Sequence, residues 1–244
     1  LRLLTLATAT AAVLSCTGCG EDQRSDTSRV GADLLGSRGI SSGAVPFASE
    51  LDRGERSSEP DLNSLGWEAG DTAAPIHVLE FSDFGCGYCR RFHVETWPTL
   101  RRDYVETGKV LWKFVPMELG IFGPNSEDAA LAAECALAQD GFPAMAERLF
   151  GEQRQWKRAD DPAPVFRRLA TDAELDVSRW ESCMAEGNRR VRVRAGTDAS
   201  RRLGVRGTPT FFLVGYGAIP GALPLETFRQ ILDEVYTQET GASG

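Results

Sequence analysis

The sequence has no excess of positive charge. Its 27 Lys and Arg are outnumbered by 35 Asp and Glu, for a net charge of -8. That removes the electrostatic footprint of a nucleic-acid binder, so no nucleic-acid partner is expected. Arg189, Arg190, Arg192 and Arg194, with Arg201 and Arg202, form local basic clusters only and read as solvated faces. No apolar run reaches the ~20 residues that a helical membrane span needs. Histidine is scarce, at two residues, and no internal repeat is present. What remains is an ordinary globular mix, 42% hydrophobic and 25% charged, which excludes wholesale disorder. A length of 244 residues allows one or two domains.

Residues 3–14 form a short apolar run of Leu, Ala and Val preceded by Arg2. This fits the hydrophobic region of a secretory signal. Val13-Leu14-Ser15-Cys16 follows, then Thr17-Gly18-Cys19. A small residue before Cys at this point is similar to the lipobox of bacterial lipoproteins, in which the Cys is lipidated. Cys16 has the better residue three positions back and is the expected site, while Cys19, with the better immediate neighbours Thr17 and Gly18, is the alternative; residues 1–19 form the signal and lipobox region. The alternative is a plain secretory signal with two incidental Cys. Residues 20–66 are rich in Ser, Gly, Asp, Glu and Arg and have no long apolar period, so they read as a flexible tether. Together these features predict an exported protein of the bacterial cell envelope or periplasm, held at the membrane by a lipid anchor.

From Trp67 the pattern changes, and residues 67–240 read as the folded domain. Residues 75–81 and 109–115 are short apolar runs of the kind that form buried strands, and residues 208–214 make a third. Residues 86–106 read as a helix kinked at Pro98. Asn125 and Ser126 suit the cap of a long helix through Leu131 and Cys135. Helical stretches follow at 144–150 and 163–170, then a capping box at Thr171 and Glu174. Residues 189–203 make a further helix, and residues 225–236 a closing amphipathic one after 215–221, which read as a turn or as a short hairpin with a strand at Ala218-Ile219. The order is strand, helix, strand, a helical block at about 124–203, strand, turn, helix. This is an α/β sheet with a helical insertion.

The cysteines carry the chemistry. Cys86-Gly87-Tyr88-Cys89 lies directly after a strand and opens a helix. Helix N-termini expose unpaired N–H groups and partial positive charge, so a thiolate at Cys86 is stabilised there. Cys89, one turn further in, suits the resolving role. The thiolate attacks a disulfide, forms a mixed disulfide and is displaced by its neighbour; the reverse oxidises a dithiol. The competing reading is a zinc site from Cys86, Cys89 and His93, with His77 across the strand. A closed structural site needs a fourth ligand, and no second Cys-x-x-Cys follows, so no metal and no cofactor is expected. His93 reads as an amphipathic surface or partly buried helix residue. Glu80 lies inside the first strand run and is expected to be largely desolvated. It reads as a proton relay for Cys89, as a carboxylate bridged to Lys113 in the second strand, or as both. Pro209 at the start of the third strand reads as an edge or first strand position, or as a cis Thr208–Pro209 bond that would leave the Thr208 backbone free to pair with an extended peptide; the sequence leaves the isomer open.

Glu80-Phe81-Ser82-Asp83-Phe84-Gly85-Cys86-Gly87-Tyr88-Cys89-Arg90-Arg91-Phe92-His93, with Gly204-Val205-Arg206-Gly207-Thr208-Pro209-Thr210-Phe211-Phe212, resembles the DsbA-like branch of the thioredoxin superfamily. The resemblance runs over residues 67–236. It implies a thioredoxin-like fold with an inserted α-helical subdomain. It makes Cys86 the nucleophile, Cys89 the resolving Cys, Glu80 the buried acid and Thr208-Pro209 the cis-proline loop. Gly87-Tyr88 replaces the Pro-His usual in the oxidases. Tyr88 supplies no cationic imidazole, so Cys86 is expected to be less acidic than in a strong oxidant. Cys-Gly-Tyr-Cys with Thr before Pro is also similar to the DsbC isomerases. Those carry an N-terminal dimerisation domain that residues 20–65 are too polar and too short to build. A monomeric oxidase or general oxidoreductase is therefore favoured over a dedicated isomerase.

Cys135 and Cys183 in the helical block read as a structural disulfide in an exported protein, or else as two separate buried thiols. Similar second disulfides occur in some DsbA-like proteins. The predicted function is thiol–disulfide exchange with exported substrate proteins, with a separate redox partner recycling the pair. The alternative is a non-catalytic binding module that holds metal or a protein partner. The N-terminal reading is checked by mass spectrometry of the mature chain. A lipid-modified Cys16 is expected, and an unmodified end beyond Cys19 overturns it.

Overall fold

The apolar runs alternate between two buried faces. In β2 (Ile76–Ser82), Ile76, Val78 and Glu80 point one way and Leu79 and Phe81 the other. In β3 (Val110–Pro116), Val110, Trp112 and Phe114 share the Glu80 face, while Leu111 and Val115 take the opposite one. Both faces are covered, so these strands read as continuous rather than alternating hydrophobicity. The computed structural model describes residues 62–241. Among them β2 and β3 pair in parallel. The sheet is completed by β1 (Trp67–Ala69), β4 (Thr210–Leu213) and β5 (Gly217–Pro220) in the order β1-β3-β2-β4-β5. The remaining pairings are antiparallel. β1 has only three residues, too short for a period-two signal, and was not expected.

The helix expected over 86–106 is α1 (Gly87–Arg91), a π-helical stretch Phe92–Thr96, α2 (Trp97–Leu100) and a second π-helical stretch Arg101–Val105. Pro98 has no N–H to give and its ring would meet a carbonyl one turn back. The wide turns around it accommodate both, so Pro98 produces π geometry where a simple kink was expected. This helix and α9 (Leu225–Thr240, numbered by chain order) cover the Glu80 face through Phe92, Leu100, Phe228 and Leu232.

Between β3 and β4 lie α3 (Ser126–Leu137), α4 (Phe142–Gly151), α5 (Gln153–Trp156), α6 (Ala163–Asp172), α7 (Val177–Glu186) and α8 (Arg190–Arg202). A disulfide joins Cys135 in α3 to Cys183 in α7, whose Cα atoms are 5.8 Å apart. Closing its loop of 48 residues stabilises the block by about 4 kcal/mol in the chain-entropy picture. Three local expectations differ. Asn125 makes no capping bond, because its amide donates to the Trp156 and Ala159 carbonyls at 2.8 Å each. The Thr171–Glu174 capping box does not form: α6 ends at Asp172, Glu174 has a φ of 58°, and Asp176 caps α7 instead. The α8 arginines are not a merely solvated face. Arg192 binds the buried Glu134 of α3 at 2.6 Å and Arg190 binds Asp128 at 2.5 Å.

Residues 1–61 lie outside the described residues, and with them the signal, Cys16, Cys19 and most of the tether. Its last positions form a 3-10 turn at Leu62–Ser64, followed by the buried Leu65. No helix of the described residues is long and apolar enough to cross a membrane.

Gly196 fixes how closely α8 approaches β3. A Cβ there would lie 2.4 Å from the Pro116 carbonyl oxygen. Alanine brings ~1 kcal/mol of helix propensity, but a strand carbonyl cannot yield as a flexible side chain does. Gly196→Ala is expected to lower stability by about 1–3 kcal/mol. A denaturant midpoint at or above that of the unaltered protein would contradict this packing.

Candidate active site

The turn after β2 is held by buried polar groups. Asp83 accepts from the Gly85 N–H at 2.8 Å, from the Leu119 N–H at 2.9 Å and from the Ser126 hydroxyl. Burial pushes the Asp83 carboxyl up, and those three donors oppose it. Gln153 of α5 donates to the Phe84 and Cys86 carbonyls at 2.6 and 2.8 Å. The insertion therefore pins the turn that presents Cys86 at the N-terminus of α1.

Cys86 and Cys89 are both free thiols. Cys86 caps α1, its sulfur accepting from the Cys89 N–H at 3.5 Å. Its S–H donates to the Thr208 carbonyl at 3.2 Å, and the Thr208–Pro209 bond is cis. Thr208 Oγ1 is buried and makes no hydrogen bond of ordinary geometry, so it can turn toward the sulfur. The Cys86 thiol is held down to about 6. The Cys89 S–H is the main cause; the Thr208 side chain and the Cys89 and Tyr88 N–H groups assist, and burial opposes. Burial pushes Cys89 well up, helped by Cys86, whose hydrogen bond and charge both favour the Cys89 proton. The Ser82 hydroxyl and Asp83 N–H near the Cys89 sulfur pull the other way. Cys86 is only 1% exposed, more enclosed than a helix mouth suggested. Its cover is thin, for Gly87, Tyr88, Arg206 and Gly207 around it are exposed.

Glu80 is fully buried and does not pair with Lys113. The parallel register sets Glu80 beside Phe114 and Lys113 beside Leu79, so the two side chains leave opposite faces of the sheet. Lys113 instead meets Glu68 of β1 at 2.6 Å. Glu80 accepts from Trp112 Nε1–H at 2.9 Å and from the Ser82 hydroxyl, and lies 2.7 Å from His93 Nε2. His93 is turned inward onto this carboxylate, stacked on Phe150 at 4.2 Å. Among the described residues no group of three or more His, Cys, Asp or Glu is placed to hold a metal ion.

The thioredoxin family's sequence model matches residues 66–234. This chain belongs to the thioredoxin family. Its fold is shared with DsbA structures: alpha-DsbA1 of Wolbachia pipientis (TM-score 0.63, 23% identical, covering 70% of this chain and 91% of that one). BdbD of Bacillus subtilis is comparable (TM-score 0.62, 20% identical, 73% and 96%). By sequence the chain is similar to the probable disulfide bond formation protein D of Bacillus anthracis, 24% identical over 73% of this chain and 83% of that protein. It is also 32% identical, over 64% of its length, to Na(+)/H(+) antiporter NhaA 3 of Salinispora tropica, of which it spans only 22%.

In this thioredoxin-family chain the structure brings together Cys86, Cys89, Glu80, Thr208, Pro209, Gly87 and Tyr88, and leaves Lys113 apart. Sequence reasoning missed Ser82, Trp112 and Gln153, and undervalued His93. Period-two spacing put Ser82 on the Glu80 face, and period 3.6 put His93 one turn beyond Cys89; both signals were readable. Gln153 comes from far along the chain and had none.

At pH 7 a thiol held near 6 is ionised roughly ten to one. Alkylation of the native reduced protein by iodoacetamide is expected at Cys86 alone, with a pH midpoint of about 6. A midpoint near 9, or modification of Cys89 first, would contradict this electrostatic asymmetry.

Proposed function

We propose that this chain is a thiol–disulfide oxidoreductase acting on exported proteins. The observation that carries the reading is a pair of free thiols at the start of α1, with the Cys86 sulfur accepting from the Cys89 N–H and facing the Thr208 carbonyl before a cis proline; that setting holds the Cys86 thiol down while burial pushes Cys89 up. Cys86 is the nucleophile. Its thiolate attacks a disulfide sulfur of the substrate, one substrate thiolate leaves, and Cys89 then attacks Cys86 to release the other. Oxidation of a substrate dithiol runs these steps backwards. The Thr208 carbonyl pairs with an extended substrate segment once the Cys86 S–H contact is displaced. Tyr88, 61% exposed, and Gly87 border the approach. Glu80 is the buried acid through which the Cys89 proton passes. Cys135–Cys183 is structural, and Lys113 has no part in exchange.

Direction follows from thiolate stability, because a protein that stabilises its reduced form is the stronger oxidant. A thiol near 6 falls between the values of about 7 for thioredoxin and about 3.5 for DsbA. This supports an exchanger of intermediate oxidising strength, and the polar, short stretch 20–65, unsuited to a dimerisation domain, favours an oxidase or general oxidoreductase over a dedicated isomerase. The chain works as a monomer, needs a partner that recycles Cys86–Cys89, and is held at the cell envelope by lipid on Cys16. The antiporter's name brings nothing to this reading, since the match spans only 22% of that protein.

The test is catalysis of dithiothreitol-driven insulin reduction and of reduced ribonuclease oxidation, with the potential measured against glutathione. Activity is expected to fall to background in Cys86→Ser, with a potential between about -120 and -270 mV. Equal activity in the variant, or stoichiometric zinc with both thiols unreactive, would replace the enzyme with a binding module.

A further inference from the structure

Cys89 must lose a proton before it can attack Cys86, yet its sulfur is fully buried. The buried Ser82 hydroxyl lies beside that sulfur and donates to Glu80 Oε1. The same carboxylate oxygen faces His93 Nε2 at 2.7 Å. His93 in turn lines a cavity of about 380 Å³ with Trp97, Phe114, Phe142 and Glu152. Ser82, Glu80 and His93 thus form a hydrogen-bonded row that begins beside the sealed sulfur and ends at a groove between the sheet and the insertion.

We propose that His93 is the group through which Cys89 exchanges its proton with water in this groove, by way of Ser82 and Glu80. The proposal rests on the oxidoreductase reading. The 2.7 Å contact holds one proton between Glu80 Oε1 and His93 Nε2, and the relay starts with that proton on Oε1 and the imidazole's own at Nδ1. The Cys89 S–H proton moves to Ser82 Oγ, the hydroxyl proton to Glu80 Oε1, and the Glu80 proton to His93 Nε2. The resulting Cys89 thiolate attacks Cys86 Sγ. The Cys86–Cys89 bond forms, the Cys86–substrate S–S bond breaks, and a substrate thiolate leaves with the electron pair. The imidazolium gives its Nδ1 proton to groove water. Every hydrogen bond in the chain has then reversed its direction. The chain is ready to return a proton when Cys89 is the leaving group in substrate oxidation. His93 touches no reacting atom; it acts through Glu80 and positions the transfer.

The geometry explains why a second solvent face is needed. Cys89 is fully buried, and a substrate held on Cys86 and the Thr208 carbonyl covers the Cys86 side further. The groove lies on the insertion side, where Phe150 stacks on the imidazole and fixes its plane. Arg101, Glu147, Arg148 and Glu152 border the groove and give it charged walls.

The experiment mixes the reduced full-length protein with excess oxidised glutathione, quenches with acid and follows the mixed disulfide on Cys86 by mass spectrometry. In His93→Ala the mixed disulfide is expected to form at the ordinary rate and to resolve about a hundredfold more slowly, the scale of general acid–base catalysis. Free imidazole, entering the space left by the ring, is expected to restore resolution. His93→Gln keeps a hydrogen bond to Glu80 without a relay and is expected to be equally slow, which covers a poorly folded alanine variant. Resolution at the ordinary rate in either variant overturns the proposal. So does slow resolution in a folded alanine variant that imidazole leaves unchanged. Failure of the unaltered protein to form any mixed disulfide is a different result, and it removes the oxidoreductase reading together with the relay.

Discussion

Two sulfur atoms one helical turn apart hold opposite preferences for charge, and much of the molecule is arranged to keep them so. A thiolate at Cys86 is stabilised by the Cys89 S–H and by N–H groups at the start of α1. The same hydrogen bond, seen from Cys89, favours its proton, and burial in the sheet core adds to that. The asymmetry needs no cationic side chain. Tyr88 stands where the oxidases carry an imidazole, and the sulfur is still held near 6 because backbone and thiol donors carry the effect.

The insertion is part of the same arrangement. Gln153 grips the carbonyls on either side of the reactive turn, Ser126 grips Asp83, and Phe150 backs the His93 ring. These contacts come from separate helices, so the helical block must be internally rigid to act on the turn. The Cys135–Cys183 bond and the pairing of Arg192 with the buried Glu134 supply cross-links from α3 to α7 and α8. Glu134 is raised by burial, with Arg192 opposing, and that partner is what makes a buried carboxylate tolerable there.

The Glu80 site shows how strand register selects partners. Two charged residues on neighbouring buried strands invite pairing, and Glu80 with Lys113 is the natural inference from type alone. A single position of register separates them onto opposite faces, and each finds a different partner: Lys113 takes Glu68, and Glu80 takes Ser82, Trp112 and His93. An inward histidine packed among the rings of Phe92, Phe114 and Phe150 looks in sequence like an amphipathic helix residue, because its partner is a carboxylate on another element.

The chain's local patterns alone determined the sheet strands longer than three residues, the helical block between them, and the placement of a Cys pair at a strand-to-helix junction. These rest on periodicity and on neighbours in sequence, which act before the chain is packed. Tertiary structure decided what depends on distance through space: the register that parts Glu80 from Lys113, the π turns around Pro98, the use of Asn125 and Ser126 for long-range bonds instead of capping, and the meeting of Thr208 with Cys86. Hydrogen bonds of a few ångströms between residues more than a hundred positions apart leave no periodic trace in a sequence. Only the packed sheet brings such groups together.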